Sequence, residues 1–152
     1  MANILSVTIK NNKIEEALQE MKRQATNGLN AIGLTAEGYA KEDCPVDTGR
    51  LRNSINFATE NSTGSGEDAP KVTPEELTLY LGTNVEYAEY VELGTGIYAS
   101  NGAGRKTPWY YYSEKLGRYV LTHGIKPTHF LRDAMANHGD EYRSIMDAAL
   151  KS

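Results

Sequence analysis

Chemistry in this chain of 152 residues would have to come from three histidines, one cysteine and a glycine-rich basic stretch. His123 and His129 lie on either side of a strand-to-helix junction, and neither they nor His138 has a ligand partner one helical turn away. Metal binding needs several donors converging on one point, so cap or surface roles suit these imidazoles better than ligation. Gly102-Ala-Gly-Arg-Lys-Thr107 has the flavour of a phosphate loop. A working phosphate loop follows the pattern G-x-x-x-x-G-K-S/T at a strand-to-helix turn, whereas here Arg105 intervenes and Pro108 follows. Cys44 directly precedes Pro45 and has no histidine near it in sequence, and no serine occupies a G-x-S-x-G nucleophile turn. Catalytic residues, metal ligands and cofactor contacts are therefore not expected.

Tyrosine is what stands out. Of ten tyrosines, seven fall between residues 80 and 112: Tyr80, Tyr87, Tyr90, Tyr98, Tyr110, Tyr111 and Tyr112. With Trp109 they sit beside glycine loops and carboxylates. A tyrosine ring gives wide contact area and a polar tip at modest entropic cost, so such clusters suit protein interfaces. The alternative is that many of them are ordinary sheet-face residues. In the run Tyr110-Tyr111-Tyr112 alternate rings point to opposite faces of a strand, so at least one must turn away from a core.

Charge is balanced overall, at −4, but unevenly placed. Residues 53–100 carry eight carboxylates against Lys71 alone, and residues 101–132 carry six bases against Glu114 alone. A general nucleic-acid binder would be basic overall, so that role is disfavoured. Neighbouring segments of opposite sign suit pairing within the chain or between copies of it, or simply two solvated faces. Apolar residues at 39 % and charged residues at 24 % describe a soluble α+β-sized domain spanning 1–152, without a membrane span, a secretory leader or a possible intrachain disulfide, hence a cytoplasmic setting.

The elements that would position these residues follow from periodicity. Ile4 to Ile9 is β-branched and reads as a strand. From Lys13 to Glu42, Ile14, Leu18, Met21, Ala25, Leu29, Ile32, Ala36 and Tyr39 fall at steps of three and four, the mark of a long helix. Gly28, Gly33 and Gly38 each weaken it, so a bend or break is possible, and Pro45 ends it. Leu51, Ile55 and Phe57 alternate as in a half-buried strand, and Leu77, Leu79 and Leu81 alternate most clearly of all. Tyr87 to Leu93 fits a helical turn stopped by Gly94, and residues 109–113 and 118–122 fit a hairpin. Residues 59–74 and 94–108 lack periodicity and read as flexible loops. A last helix begins near Thr128, with Leu131, Ala134, Met135, His138, Tyr142, Ile145, Met146 and Ala149 on its apolar face. The expected architecture is α+β, with a small antiparallel sheet packed against a long N-terminal helix and a C-terminal helix.

Three segments, in order, carry a resemblance: Cys44-Pro-Val-Asp-Thr-Gly-Arg-Leu-Arg-Asn-Ser-Ile55, Tyr87-Ala-Glu-Tyr-Val-Glu-Leu-Gly-Thr95 and Lys126-Pro-Thr-His-Phe-Leu-Arg-Asp-Ala134. Together they resemble the neck or tail-component family of long-tailed phages, the gene-product-ten-like family of lambdoid siphophages. The insertion from Gly96 to Thr122 is similar to versions in phages of Gram-positive hosts, and the likeness spans most of residues 13–150. Thr128-His129 stands where the family more often has a proline before the phenylalanine, which bears on the helix cap.

The resemblance implies a virion structural protein, without enzymatic activity, at the head–tail junction. It would form a ring of six copies between the head-closure (connector) ring and the tail terminator, with DNA passing through the lumen and no membrane contact. A tail-terminator or minor tail role is the alternative, and a phage accessory enzyme or nucleic-acid-binding protein a more remote one. Candidate contacts with a neighbouring subunit or ring are Asp47, Arg50, Arg52, Tyr87, Glu89, Tyr90, Glu92, Arg105, Lys106, Trp109 and Arg118. Gly49, Gly94, Pro127, Phe130 and Leu131 are candidate turn and anchor residues, and Asp47 and Gly49 could serve the turn alone. The acidic edge at Glu86–Glu92 is expected to meet the basic edge at Arg105–Arg118 of the next copy, with Arg50 or Arg52 reaching a carboxylate such as Glu92.

Overall fold

The computed structural model describes residues 13–152. The strand expected over 4–9 lies outside the described residues. The described chain is α+β, and its elements run α1 (Lys13–Asp43), α2 (Arg50–Ser54), β1 (Asn56–Ala58), β2 (Tyr80–Gly82), α3 (Ala88–Leu93), a 3₁₀ turn (Gly96–Tyr98), β3 (Trp109–Ser113), β4 (Arg118–Thr122), α4 (Phe130–Ala136) and α5 (Gly139–Leu150).

Helix α1 is unbroken over 31 residues, about 46 Å. Glu15 and Glu16 at its start and Lys41 near its end oppose the helix dipole. Two of its glycines work as notches. A Cβ on Gly33 would stand 2.4 Å from the Phe57 ring, and one on Gly28 would stand 2.7 Å from Met146 Sδ. The bare backbone lets β1 press against one side of α1 and α5 against the other. The helical propensity given up there is offset by close packing. Gly38 has nothing within 4 Å and gains no such contact.

Four expectations need correction. The alternation at Leu51, Ile55 and Phe57 is not one strand: Leu51 lies in the single turn α2, Ile55 ends it, and only Asn56–Ala58 is strand. Leu51 and Ile55 are also one helical turn apart, so both are buried either way. Of the leucine alternation at 77–81, only Leu81 lies in β2, and Leu77 has φ 56° with its side chain exposed. The sheet is two separate two-stranded pairs, β1–β2 and β3–β4. The last helix is two, with Asn137 closing α4 and His138 opening α5.

The core has two connected parts. At the C-terminal end of α1, Ala40, Cys44, Leu51, Ile55, Val85, Ala88, Phe130 and Ala134 pack together, with Phe130 and Ile55 fully buried. Further back along α1, Ile32 and Ala36 pack against Tyr142, Ile145 and Met146 of α5 and Leu79 and Leu81 of the first sheet. Tyr39 joins the two, stacked at 3.5 Å on the His138 ring, with its hydroxyl donating to Glu141.

Candidate functional site

The segment between α1 and β1 is built as a turn. Gly49 takes φ 85°, open to glycine, and precedes α2; Thr48 Oγ1 accepts from the Arg50 N–H at 3.3 Å. Asp47 is exposed, and it lines a dimple of about 170 Å³ together with Tyr87 and Val91 of the α3 region. Arg50 has carboxylate partners within its own chain. Its guanidinium holds Asp68 at 2.8 and 2.9 Å and Glu86 at 2.9 and 3.1 Å, and lies 5.9 Å over the Tyr87 ring. Hydrogen bonds from Arg50 hold the Asp68 and Glu86 carboxyls below the usual carboxylate range, and the guanidinium is pushed up in return. This clip ties the irregular segment 59–74 to the start of α3, where buried Ala69 adds an apolar anchor. Arg52 stays exposed on the outer side of α2.

Glu92 is the second residue with an internal partner. Its two carboxylate oxygens accept from the N–H groups of Leu131 and Arg132 at 2.9 and 3.0 Å, the free donors at the start of α4. The carbonyls of Val91 and Glu92 accept from the N–H groups of Thr128 and His129 in the same junction. His129 takes φ 52° and gives no side-chain cap, so Glu92 caps this helix from another element. Glu92 thus has a role within the fold, holding the start of α4. Gly94 (φ 78°) closes α3 with its backbone against Pro127, and Phe130 anchors α4 in the core with Leu131 beside it.

Glu89 and Tyr90, on the outer side of α3, are exposed. They line one cleft of about 400 Å³ with Arg105 and Trp109, whose ring lies 5.6 Å under the Arg105 guanidinium. The acidic and basic edges therefore lie side by side in one subunit, not on opposed faces. Lys106 donates to the Gly102 carbonyl at 3.4 Å, and Arg118 is exposed at the start of β4. The loop from Gly94 is tied down where Thr95 and Ile97 donate to the carbonyls of Ile125 and His123.

The hairpin β3–β4 is largely open to solvent. Its register pairs Tyr110 with Leu121 and Tyr112 with Tyr119 on one face, and Trp109 with Thr122, Tyr111 with Val120 and Ser113 with Arg118 on the other. On the first face Tyr110 is 69 % and Tyr119 70 % exposed, and Tyr112 meets Tyr119 edge-on at 5.4 Å. The second face turns toward α3, where Trp109, Tyr111, Tyr87, Tyr90, Val91 and Ile125 line an apolar groove of about 430 Å³. The pairing of Asp68 and Glu86 through Arg50 and the Gly28 and Gly33 notches went unseen in sequence, because a loop's partner and a close approach leave no periodic signal.

Among the described residues no group of three or more His, Cys, Asp or Glu could hold a metal ion, and no helix is long and apolar enough to cross a membrane. Two of the clefts are aromatic, with Tyr90 and Trp109 lining both. The chain belongs to the bacteriophage HK97-gp10-like tail-component family, whose model matches residues 10–94. That match takes in the Cys44–Ile55 and Tyr87–Gly94 segments, while the hairpin, α4 and α5 lie beyond it. No curated protein and no solved structure matched the chain.

Proposed function

We propose that this tail component is a ring-forming subunit at the head–tail junction, in six copies, joining the head-closure ring to the tail terminator. The observation that carries it is surface. Ile14, Leu18 and Met21 on the first turns of α1 and Tyr110, Tyr112 and Tyr119 on the hairpin are each more than half exposed, large apolar side chains that a solitary subunit would not keep bare. Two different surfaces on one subunit make a head-to-tail contact, which closes into a ring when the rotation allows. A lumen that is neutral or acidic would let duplex DNA slide without sticking, and the net charge of −4 is compatible with that.

The test is electron microscopy of lysates from a phage carrying an early stop codon in this gene. Filled heads lying apart from tails of normal length are the expected result. Abnormally long tails would assign the chain to tail termination instead. Normal infectious virions would overturn a structural role at the joint.

A further inference from the structure

The apolar seam of α1 outruns the helix that covers it. Ile32, Ala36 and Tyr39 face α5 and the first sheet, and at 100° per residue Ile14, Leu18, Met21 and Ala25 continue the same stripe toward the N-terminus. Helix α5 stops level with Gln24, whose side-chain amide donates to the Ser152 carbonyl at 2.5 Å. Beyond that point the stripe is bare: Ile14 is 63 %, Leu18 52 % and Met21 56 % exposed. These three sit at i, i+4 and i+7, the anchor spacing of a helix that lies in a groove.

The groove between α3 and the hairpin is the matching surface. It is apolar and aromatic, with Tyr90 58 %, Tyr111 47 % and Ile125 61 % exposed, so its walls stand apart and its mouth is open. A methionine thioether packs well against such rings. The charges agree as well. Glu15 and Glu16 stand in the first turn of α1, and Lys22 and Arg23 beyond Met21 are taken up by Glu76 and Glu20, while Arg105 lies over Trp109 and Arg118 stands on the Trp109–Tyr111 face of the hairpin. One subunit cannot join its own two surfaces. The groove borders Val91, which packs on the cluster holding Ala40, and Leu18 is about 33 Å from Ala40 along α1.

We infer that the bare stripe Ile14–Leu18–Met21 of one copy seats in the groove between α3 and the hairpin of a second copy of this chain. The contact is heterologous, with α1 as the donor end and the groove as the acceptor end, so each added copy presents a fresh stripe and a fresh groove. It rests on the ring-forming reading above and names its interface. It also revises the expected pairing: the acidic partner of the basic edge is the start of α1, not the Glu86–Glu92 edge that lies beside it.

The test is disulfide trapping in full-length protein, both purified and assembled into particles by complementing the stop-codon phage from a plasmid. Leu18→Cys and Tyr90→Cys substitute exposed residues, and native Cys44 is buried. A linked dimer is expected only when the two single variants are mixed, and the double variant should give a ladder of oligomers. Leu18→Glu should abolish the higher oligomers, while Tyr112→Glu, on the other hairpin face, should leave them intact. Dimers from Leu18→Cys alone would overturn the proposal in favour of α1 pairing with itself. Assembled particles without any link between the two positions would also overturn it, assigning the stripe to the chain's own first twelve residues or to a different virion protein. In either case separated heads and tails in the stop-codon lysate would leave the junction role standing, and infectious virions would remove that role whether or not the link forms.

Discussion

The two ends of this molecule solve the same problem in opposite ways. Around Phe130 and along the α1–α5 seam, apolar side chains are covered by their own chain, glycine notches bring backbones close, and tyrosine hydroxyls find internal partners. In the hairpin β3–β4, a comparable density of aromatic residues is left in solvent. A two-stranded hairpin with no third strand or helix on its face is marginal by itself. As a tyrosine-bearing arm it therefore suits contact with something that covers it. The contrast separates residues that hold the subunit together from residues kept for contact, and it does so without reference to residue type, since both sets are rich in rings.

The sharpest way to break this comparison is to delete one ring from each side. Phe130 is fully buried at the meeting of α1, α3 and α4, and Phe130→Ala should cost about 3–5 kcal/mol through lost transfer energy and the cavity left behind. Tyr110 is largely exposed, and Tyr110→Ala should stay within about 0.5 kcal/mol. Urea unfolding followed by circular dichroism reads both, and a Tyr110→Ala loss near that of Phe130→Ala would mean the hairpin belongs to the core.

A second comparison lies within α1. Gly33→Ala should destabilise by about 1–3 kcal/mol, because the new methyl must displace the Phe57 ring packed against the helix. Gly38→Ala enters open space and should stabilise by about 0.5–1 kcal/mol through helix propensity alone. Opposite signs for the same substitution, five residues apart on one helix, are the expected thermal-melting result. Two stabilisations would show that the Gly33 notch is slack.

These pairs also mark how far the sequence could be read. The 31-residue helix, the α3 turn and the hairpin register were legible because period and punctuation are local properties. Glycines at 28 and 33 read as weak points because propensity counts only what a residue costs its own helix, and the benefit belongs to Phe57 and Met146. The leucines at 77–81 alternate as a strand, yet the chain takes a positive φ at Leu77 and only three residues pair. The break at Asn137–His138 was hidden because the apolar face continues across it. Tyr90, Trp109 and Arg105 stood out by type and clustering, and the structure brings them together in one cleft. The bare stripe Ile14–Leu18–Met21 was legible as helix but not as surface, since exposure there depends on where α5 stops.

The smallest effect concerns two carboxylates three residues apart on α3. Both were read from sequence as interface charges, and the structure gives them different work. Glu92 is largely covered and spans two orphan N–H groups of α4, so Glu92→Ala removes a cap and should cost about 1 kcal/mol. Glu89 is exposed on the wall of the Arg105–Trp109 cleft, and Glu89→Ala should leave the unfolding midpoint unchanged. Assembly reads the pair in the other direction. Glu89→Ala removes a negative charge from the rim of the groove that is proposed to receive the first turn of α1 with Glu15 and Glu16, so like-charge repulsion falls and oligomers should form at lower protein concentration. Sedimentation of the two variants at matched concentrations, beside their urea midpoints, decides the matter. If Glu89→Ala weakens assembly, Glu89 meets a base on its neighbour and the acidic partner of the basic edge is not the start of α1.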